Sequence, residues 1–272
     1  MNSAKQLLAV IVMLCLIYSC KMPPGMRSGY YTEKDTIVYY TGFPSSRYVL
    51  EDLDTETFVS INDGYGKDKN KVYSGYNVIE NADPSTFEFL GGPFSKDRNN
   101  AYFDDKVLSS NGPGFHLIKG QDISTGFGYA SDGSFVFQGD MKLENADPSS
   151  FTYVAMFNGN YLTYDRNNVY FNNHPIQDAN GSGFKKLSGF YFTDNKNVWA
   201  LMLGKDTHWK QIPDADASSI KAVKEYYVKD SKHVFYEDRI VKDADVNSFT
   251  ETTGGEASDN KGSYNDGILL KK

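Results

Sequence analysis

The chain has 272 residues, 35 of them acidic and 28 basic, giving a formal net charge of −7, and its two cysteines are Cys15 and Cys20. That acidic balance argues against nucleic acid or anionic lipid headgroups as partners, and cysteines confined to the first twenty residues leave no disulfide framework for the rest. Stability must therefore come from packed surface, for which an aromatic content of 15% is a ready supply.

Residues 1–19 combine a lone Lys5, an apolar run from Leu7 to Ile17 and a small residue, Ser19, before Cys20. This is the outline of a secretory signal peptide. The sequence Ile17-Tyr18-Ser19-Cys20 resembles the lipobox of bacterial lipoproteins, which implies cleavage before Cys20 and diacylation of its sulfur. Cleavage would remove Lys5 and take the formal charge from −7 to −8. The membrane contact then comes from acyl chains, each buried methylene contributing about 0.8 kcal/mol. Residues 20–29, with Pro23-Pro24-Gly25, read as a short tether. Lys21-Met-Pro-Pro-Gly25 carries no acidic export pattern, so the expected location is the outer membrane, facing the periplasm.

From residue 30 to 272 the chain reads as one domain of about eight copies of a single unit. Leading aspartates stand at Asp35, Asp68, Asp97, Asp132, Asp165, Asp194, Asp230 and Asp259. The block Asp68-Lys-Asn-Lys-Val-Tyr73 returns as Asp97-Arg-Asn-Asn-Ala-Tyr102, Asp165-Arg-Asn-Asn-Val-Tyr170, Asp194-Asn-Lys-Asn-Val-Trp199 and Asp230-Ser-Lys-His-Val-Phe235. A closing block, Asn81-Ala-Asp-Pro-Ser-Thr-Phe87, returns as Asn145-Ala-Asp-Pro-Ser-Ser-Phe151, with looser forms ending at Phe58, Phe184, Ile220 and Phe249. From closing residue to next Asp the count is ten in five cases, so this part of the unit is rigid. Insertions fall elsewhere, the clearest being Leu201 to Gln211.

Short runs of β-branched and aromatic residues, broken every few positions by Gly, Asn or Asp, predict strands and no helix. Each unit reads as a strand into the Asp, a tight turn, a strand carrying Val-Tyr, and a third strand ending before Ala-Asp-Pro. The Asp should accept hydrogen bonds from the amides that follow it, and the Asn in the turn should tolerate positive φ. Asp83 and Pro84 suggest a capped single turn that drops Phe87 into the core between neighbouring units. The fold class is thus all-β, a solenoid-like tandem array of short antiparallel meanders. A β-propeller is the alternative, although about 40 residues per blade is typical and twenty-nine is short for that.

On these same residues the repeat resembles the DKNYY family of bacterial secreted proteins and lipoproteins, over about Tyr30 to Leu270. The family is largely without an assigned activity, so the resemblance implies no catalytic residues.

No motif points to a catalytic site, a metal or a cofactor. Asp97-Arg-Asn-Asn and Asp165-Arg-Asn-Asn look like the start of a calcium loop but lack its mid-loop Gly and its bidentate acid. His116, His174, His208 and His233 sit at different offsets within their units and should not converge. Gly181-Ser-Gly183 reads as a loosened closing turn, and Asp104-Asp105 and Glu237-Asp238 as solvated hairpin tips. Aromatic residues could form a binding face, but rings in register read first as a core ladder. The inserted segment with His208 and Trp209 is the candidate recognition loop. The expected function is a non-catalytic envelope lipoprotein, scaffold or binding module for a protein or glycan. The alternative is a glycan hydrolase with carboxylates from repeat loops about 5–10 Å apart.

Overall fold

The computed structural model describes residues 25–124, 128–204 and 207–270; the signal segment and Cys20 lie outside them. Among the described residues there are eight small antiparallel sheets and no helix, and no sheet closes into a barrel. The chain parts into two compact units between Phe115 and His116, the first holding three sheets and the second five. Each leading Asp found in the sequence marks one sheet, so the array of meanders is the architecture.

The unit has one strand more than the sequence suggested. Seven sheets have four strands in simple meander order, and only the first has three, Ser28–Glu33, Thr36–Thr41 and Arg47–Val49. The additional strand follows the closing Phe. Glu88–Gly91, for example, pairs with Phe94–Lys96 in the third sheet. In the second sheet this strand is only Val59–Ser60, too short to show any alternation.

In every sheet but the last, the strand after the leading Asp buries two successive side chains. Val72 and Tyr73, Ala101 and Tyr102, and Val169 and Tyr170 are all buried. Neighbouring residues in a strand point to opposite faces, so both faces of these sheets are covered. On one face Val72 packs with Phe87 and with Tyr102 of the next sheet. In the second unit the pattern repeats as Val136 with Phe151 and Tyr170, Val169 with Phe184 and Trp199, and Val234 with Phe249 and Tyr264. The closing Phe is the shared piece. Phe87 sits 6.1 Å from Tyr65 and 6.4 Å from Tyr102, and Phe249 sits 5.1 Å from Tyr227 and 5.3 Å from Tyr264, each between two sheets. Fully burying such a ring contributes about 1.5–3 kcal/mol, and each aromatic pair about 0.5–1.5 kcal/mol more.

Six of the eight leading aspartates, Asp68, Asp97, Asp132, Asp165, Asp194 and Asp230, are themselves buried, which a carboxylate tolerates only when its oxygens are filled. Oδ1 of Asp97 accepts the amide N–H groups of Asn99 (2.7 Å) and Asn100 (2.8 Å), closing its own turn. Oδ2 accepts the Asp83 amide of the preceding closing block (2.8 Å) and the Tyr102 hydroxyl (2.7 Å). The same long reach joins Asp54 to Asp68, Asn180 to Asp194, Asp216 to Asp230 and Asp245 to Asp259. In all five the donor lies fourteen residues before the acceptor, four to the closing residue plus the constant ten. At Asp165 the reach is eighteen, to Asp147, because the hairpin between them, Thr152–Phe157 with Asn160–Tyr164, is longer than its counterpart Glu88–Gly91 with Phe94–Lys96. The clamp still closes.

Other side chains tie the same two blocks together. Asp83 accepts from the Ser85 hydroxyl and amide and the Thr86 hydroxyl, and pairs with Arg98, while Thr86 Oγ1 accepts the Arg98 amide. Asp147 with Arg166 repeats this. A lysine before the Asp adds a tie to the next closing block instead: Lys67, Lys96 and Lys229 donate to the carbonyls of Pro84, Phe115 and Val246.

Positive φ falls elsewhere than the sequence suggested. Asn70 and its direct counterparts keep negative φ, since the carboxylate rather than a left-handed backbone closes the Asp turn; Asn195, one place earlier in its turn, is an exception at 68°. Left-handed residues sit instead in the next hairpin tip, at Gly75 (58°), Asp104 (53°), Asn172 (50°), Glu237 (54°) and Asp266 (49°). Those two-residue tips need primed turns.

Replacing Asp97 by Ala would strand four donors around a residue that is 3% exposed. Since each buried donor left unpaired costs about 1–3 kcal/mol, Asp97→Ala is expected to lower unfolding stability in urea by about 3 kcal/mol or more. The exposed Asp35→Ala should shift it by less than about 0.5 kcal/mol.

These contacts also set an acid limit. Burial would raise the Asp97 carboxyl, but the Asn100, Asp83 and Asn99 amides and the Tyr102 hydroxyl together hold it below the ordinary carboxylate range. Asp194 and Asp259 are lowered in the same way. Asp147 is drawn down to about 2 by the Ser149 and Ser150 hydroxyls, with Arg166 assisting. A carboxyl that is more acidic when folded stabilises the fold above its unfolded pKa, about 3.9 for Asp, and that stability is lost as pH falls through the folded value. The urea midpoint should therefore hold down to about pH 5 and fall from about pH 4 toward pH 2. A midpoint flat to pH 2 would contradict this.

Candidate functional site

The buried leading aspartates are spoken for by the fold. Asp97 and Asp165 engage both carboxylate oxygens with protein donors. Among the described residues no three His, Cys, Asp or Glu are grouped to hold a metal. His116, His174 and His208 stand on strands of three different sheets and His233 in a turn of another. Gly181 belongs to a closing turn, its carbonyl accepting the Phe184 amide. A Cβ on Gly181 would lie 1.6 Å from the Asp165 carbonyl oxygen, so this place admits only glycine.

The candidate recognition residues His208 and Trp209 lie on a strand, His208–Gln211, rather than in a loop. The strand pairs with Val198–Met202, placing His208 opposite Met202 and Trp209 opposite Leu201. His208 is exposed. Trp209 turns inward, its ring 4.9 Å from Phe192 and 5.9 Å from Phe171 on the edge of a core cluster, and Trp199 is buried in the same cluster. Both tryptophans therefore pack between sheets.

The insertion nonetheless shapes a site. It lengthens the third strand of the sixth sheet to five residues, Val198–Met202, against three in most other copies. The overhanging end, Met202 and Leu203, forms one wall of a cleft of about 130 Å³ between the sixth and seventh sheets. Phe190, Tyr191, Tyr226 and Tyr236 supply the rings, and Glu237 supplies a carboxylate at the rim. Tyr191 is buried at the base, its hydroxyl donating to the Tyr226 carbonyl (3.0 Å), and burial raises its pKa strongly. The Tyr236 hydroxyl donates to Asp266 (2.7 Å). Both hydroxyl protons are thereby fixed, and the rings line the cleft. Leu203 is 44% exposed there, in line with a contact surface.

Charge gathers at the rim. Glu237 and Asp238 form the tip of a hairpin, as the sequence suggested, and Asp104-Asp105 forms another. Arg239 pairs with Glu237 at 3.1 Å and stands 6.0 Å over the Tyr236 ring. Asp238 pairs with Lys210 of the sixth sheet, which lowers its pKa and pins the tip across the cleft. Nothing in the sequence marks the cleft residues as a group, because they come from four separate segments whose aromatics look like those of any other copy. The insertion was the available signal.

The repeated Asp turn, closing block and meander have a counterpart among known families. The DKNYY family model matches residues 70–202 and 191–267. The chain belongs to the DKNYY family. The matched span runs from the second copy into the last, so the clamp, the closing Phe and the cleft all lie within DKNYY sequence. No curated protein matches the chain.

Proposed function

We propose that this DKNYY protein is a non-catalytic lipoprotein of the bacterial cell envelope, lipidated on Cys20, whose repeats present a binding surface to a protein or glycan partner. The outer membrane, facing the periplasm, is the location that the Lys21-Met-Pro-Pro-Gly25 tether favours. The observation that carries the binding role is the cleft between the sixth and seventh sheets. It offers aromatic walls of the kind that stack on sugar rings or anchor a partner's apolar side chain, with a charged rim to orient it. The hydrolase alternative asks for two facing carboxylates, whereas the cleft lining contributes one, Glu237, already paired with Arg239.

Two measurements test this reading. Radiolabelled palmitate should enter the wild-type chain and not Cys20→Ala; equal labelling would remove the anchor. A photo-crosslinker at Leu203 should capture a discrete partner or peptidoglycan fragment in living cells, and Tyr226→Ala should reduce that product about tenfold, the loss of one aromatic anchor. A product that Tyr226→Ala leaves unchanged, or one formed equally from the exposed Met156, would contradict the cleft as the contact.

A further inference from the structure

We infer that the first sheet carries a second, non-covalent membrane contact, an apolar knuckle made by Met26 and Phe43 that seats in the headgroup and acyl boundary of the bilayer. The inference rests on the lipidation of Cys20 proposed above.

Phe43 is 87% exposed and Met26 is 55% exposed. Single exposed apolar residues need no explanation, but these two flank one backbone contact. The strands Ser28–Glu33 and Thr36–Thr41 pair from Ser28 opposite Thr41 up to Glu33 opposite Thr36, so the open end of the hairpin lies at residues 28 and 41. Beyond it the two chains stay in contact: a Cβ on Gly42 would lie 3.1 Å from the Ser28 nitrogen and 3.6 Å from the Arg27 carbonyl carbon. Met26 precedes this contact and Phe43 follows it, and both lie exposed at the end of the sheet where the chain enters the described structure.

That end is also the end nearest the anchor. Cys20 and Gly25 are five residues apart, and five extended residues span at most about 17 Å. Once the acyl chains of Cys20 enter the bilayer, the entry end of the first sheet is held within that distance of the surface. Local charge permits closer approach. The chain as a whole is acidic, yet the segments 25–28 and 42–47, Gly-Met-Arg-Ser and Gly-Phe-Pro-Ser-Ser-Arg, hold two arginines and no acid. Arg47 is paired with Glu33 at 2.6 Å, and Arg27 is exposed beside Met26. An exposed Phe and Met with a neighbouring Arg suit the boundary between headgroups and acyl chains, where rings insert and a guanidinium meets phosphate. The contact would fix the orientation of the first sheet, which a flexible tether alone would leave free.

The test is depth-dependent quenching on the lipidated full chain. Phe43→Trp is made in a host that processes lipoproteins and reconstituted in phosphatidylethanolamine and phosphatidylglycerol vesicles with brominated acyl chains. The emission added over wild type, which already contains Trp199 and Trp209, is the signal. Asp35→Trp is the control, at the other end of the same hairpin and about 20 Å away along six-residue strands. The emission added by Phe43→Trp is expected to be blue-shifted and to lose about half or more of its intensity in brominated vesicles, as for a ring seated in the interface, while the emission added by Asp35→Trp is unaffected. Vesicle-bound Phe43→Trp protein whose added emission is quenched no more than that of Asp35→Trp would overturn the knuckle and leave the anchor standing. Protein that does not float with the vesicles would overturn the anchor and the knuckle together.

Discussion

The structure depends on a carboxylate that has been taken out of water and given a donor for every direction it faces. A buried Asp without partners would cost several kcal/mol and protonate instead. At Asp97 two amides come from its own turn, one from the preceding closing block and a hydroxyl from the strand beyond. One side chain therefore closes a hairpin and joins it to the turn before. This explains why the spacing of ten residues between closing residue and Asp does not vary where the contact is made by the simplest path. It also explains why four further residues are accommodated before Asp165, where they lengthen the first hairpin of the sheet without opening the contact.

The second element is the layer between sheets. A Val from one copy, the closing Phe and an aromatic from the next meet in each of several clusters. Because successive residues of this strand are buried on opposite faces in all sheets but the last, each of those strands serves two layers. The arrangement consumes most of the acids at turns and most of the rings in layers. What remains for binding is where the pattern is broken: the lengthened strand ending in Met202 and Leu203, and the three-stranded first sheet with Met26 and Phe43 at its open end.

Much of this can be read in the sequence, and the limits have physical causes. The eight aspartates, the strand class, the amides that follow the Asp and the insertion of Phe87 between sheets are all local patterns, visible within a dozen residues. The fourth strand is not, because a pair such as Val59–Ser60 carries no periodicity and owes its conformation to its neighbour. The reach of Asp97 Oδ2 back to the Asp83 amide is equally silent, since a backbone donor has no sequence signature. Trp209 looked like a contact residue because its segment departs from the repeat, yet its ring fills the gap between Phe171 and Phe192. The same insertion does mark the site, through the strand it extends rather than the residues it adds.

The central claim is that the buried Asp joins successive copies through backbone amides of the closing block. Site-resolved hydrogen exchange of the native chain tests it most directly, at the amides of Asp54, Asp83, Asp147, Asn180, Asp216 and Asp245. These six lie in turns near the surface, where amides ordinarily exchange fast, and the account predicts protection comparable to that of the flanking strands. Exchange at the rate of the exposed hairpin tips would contradict it.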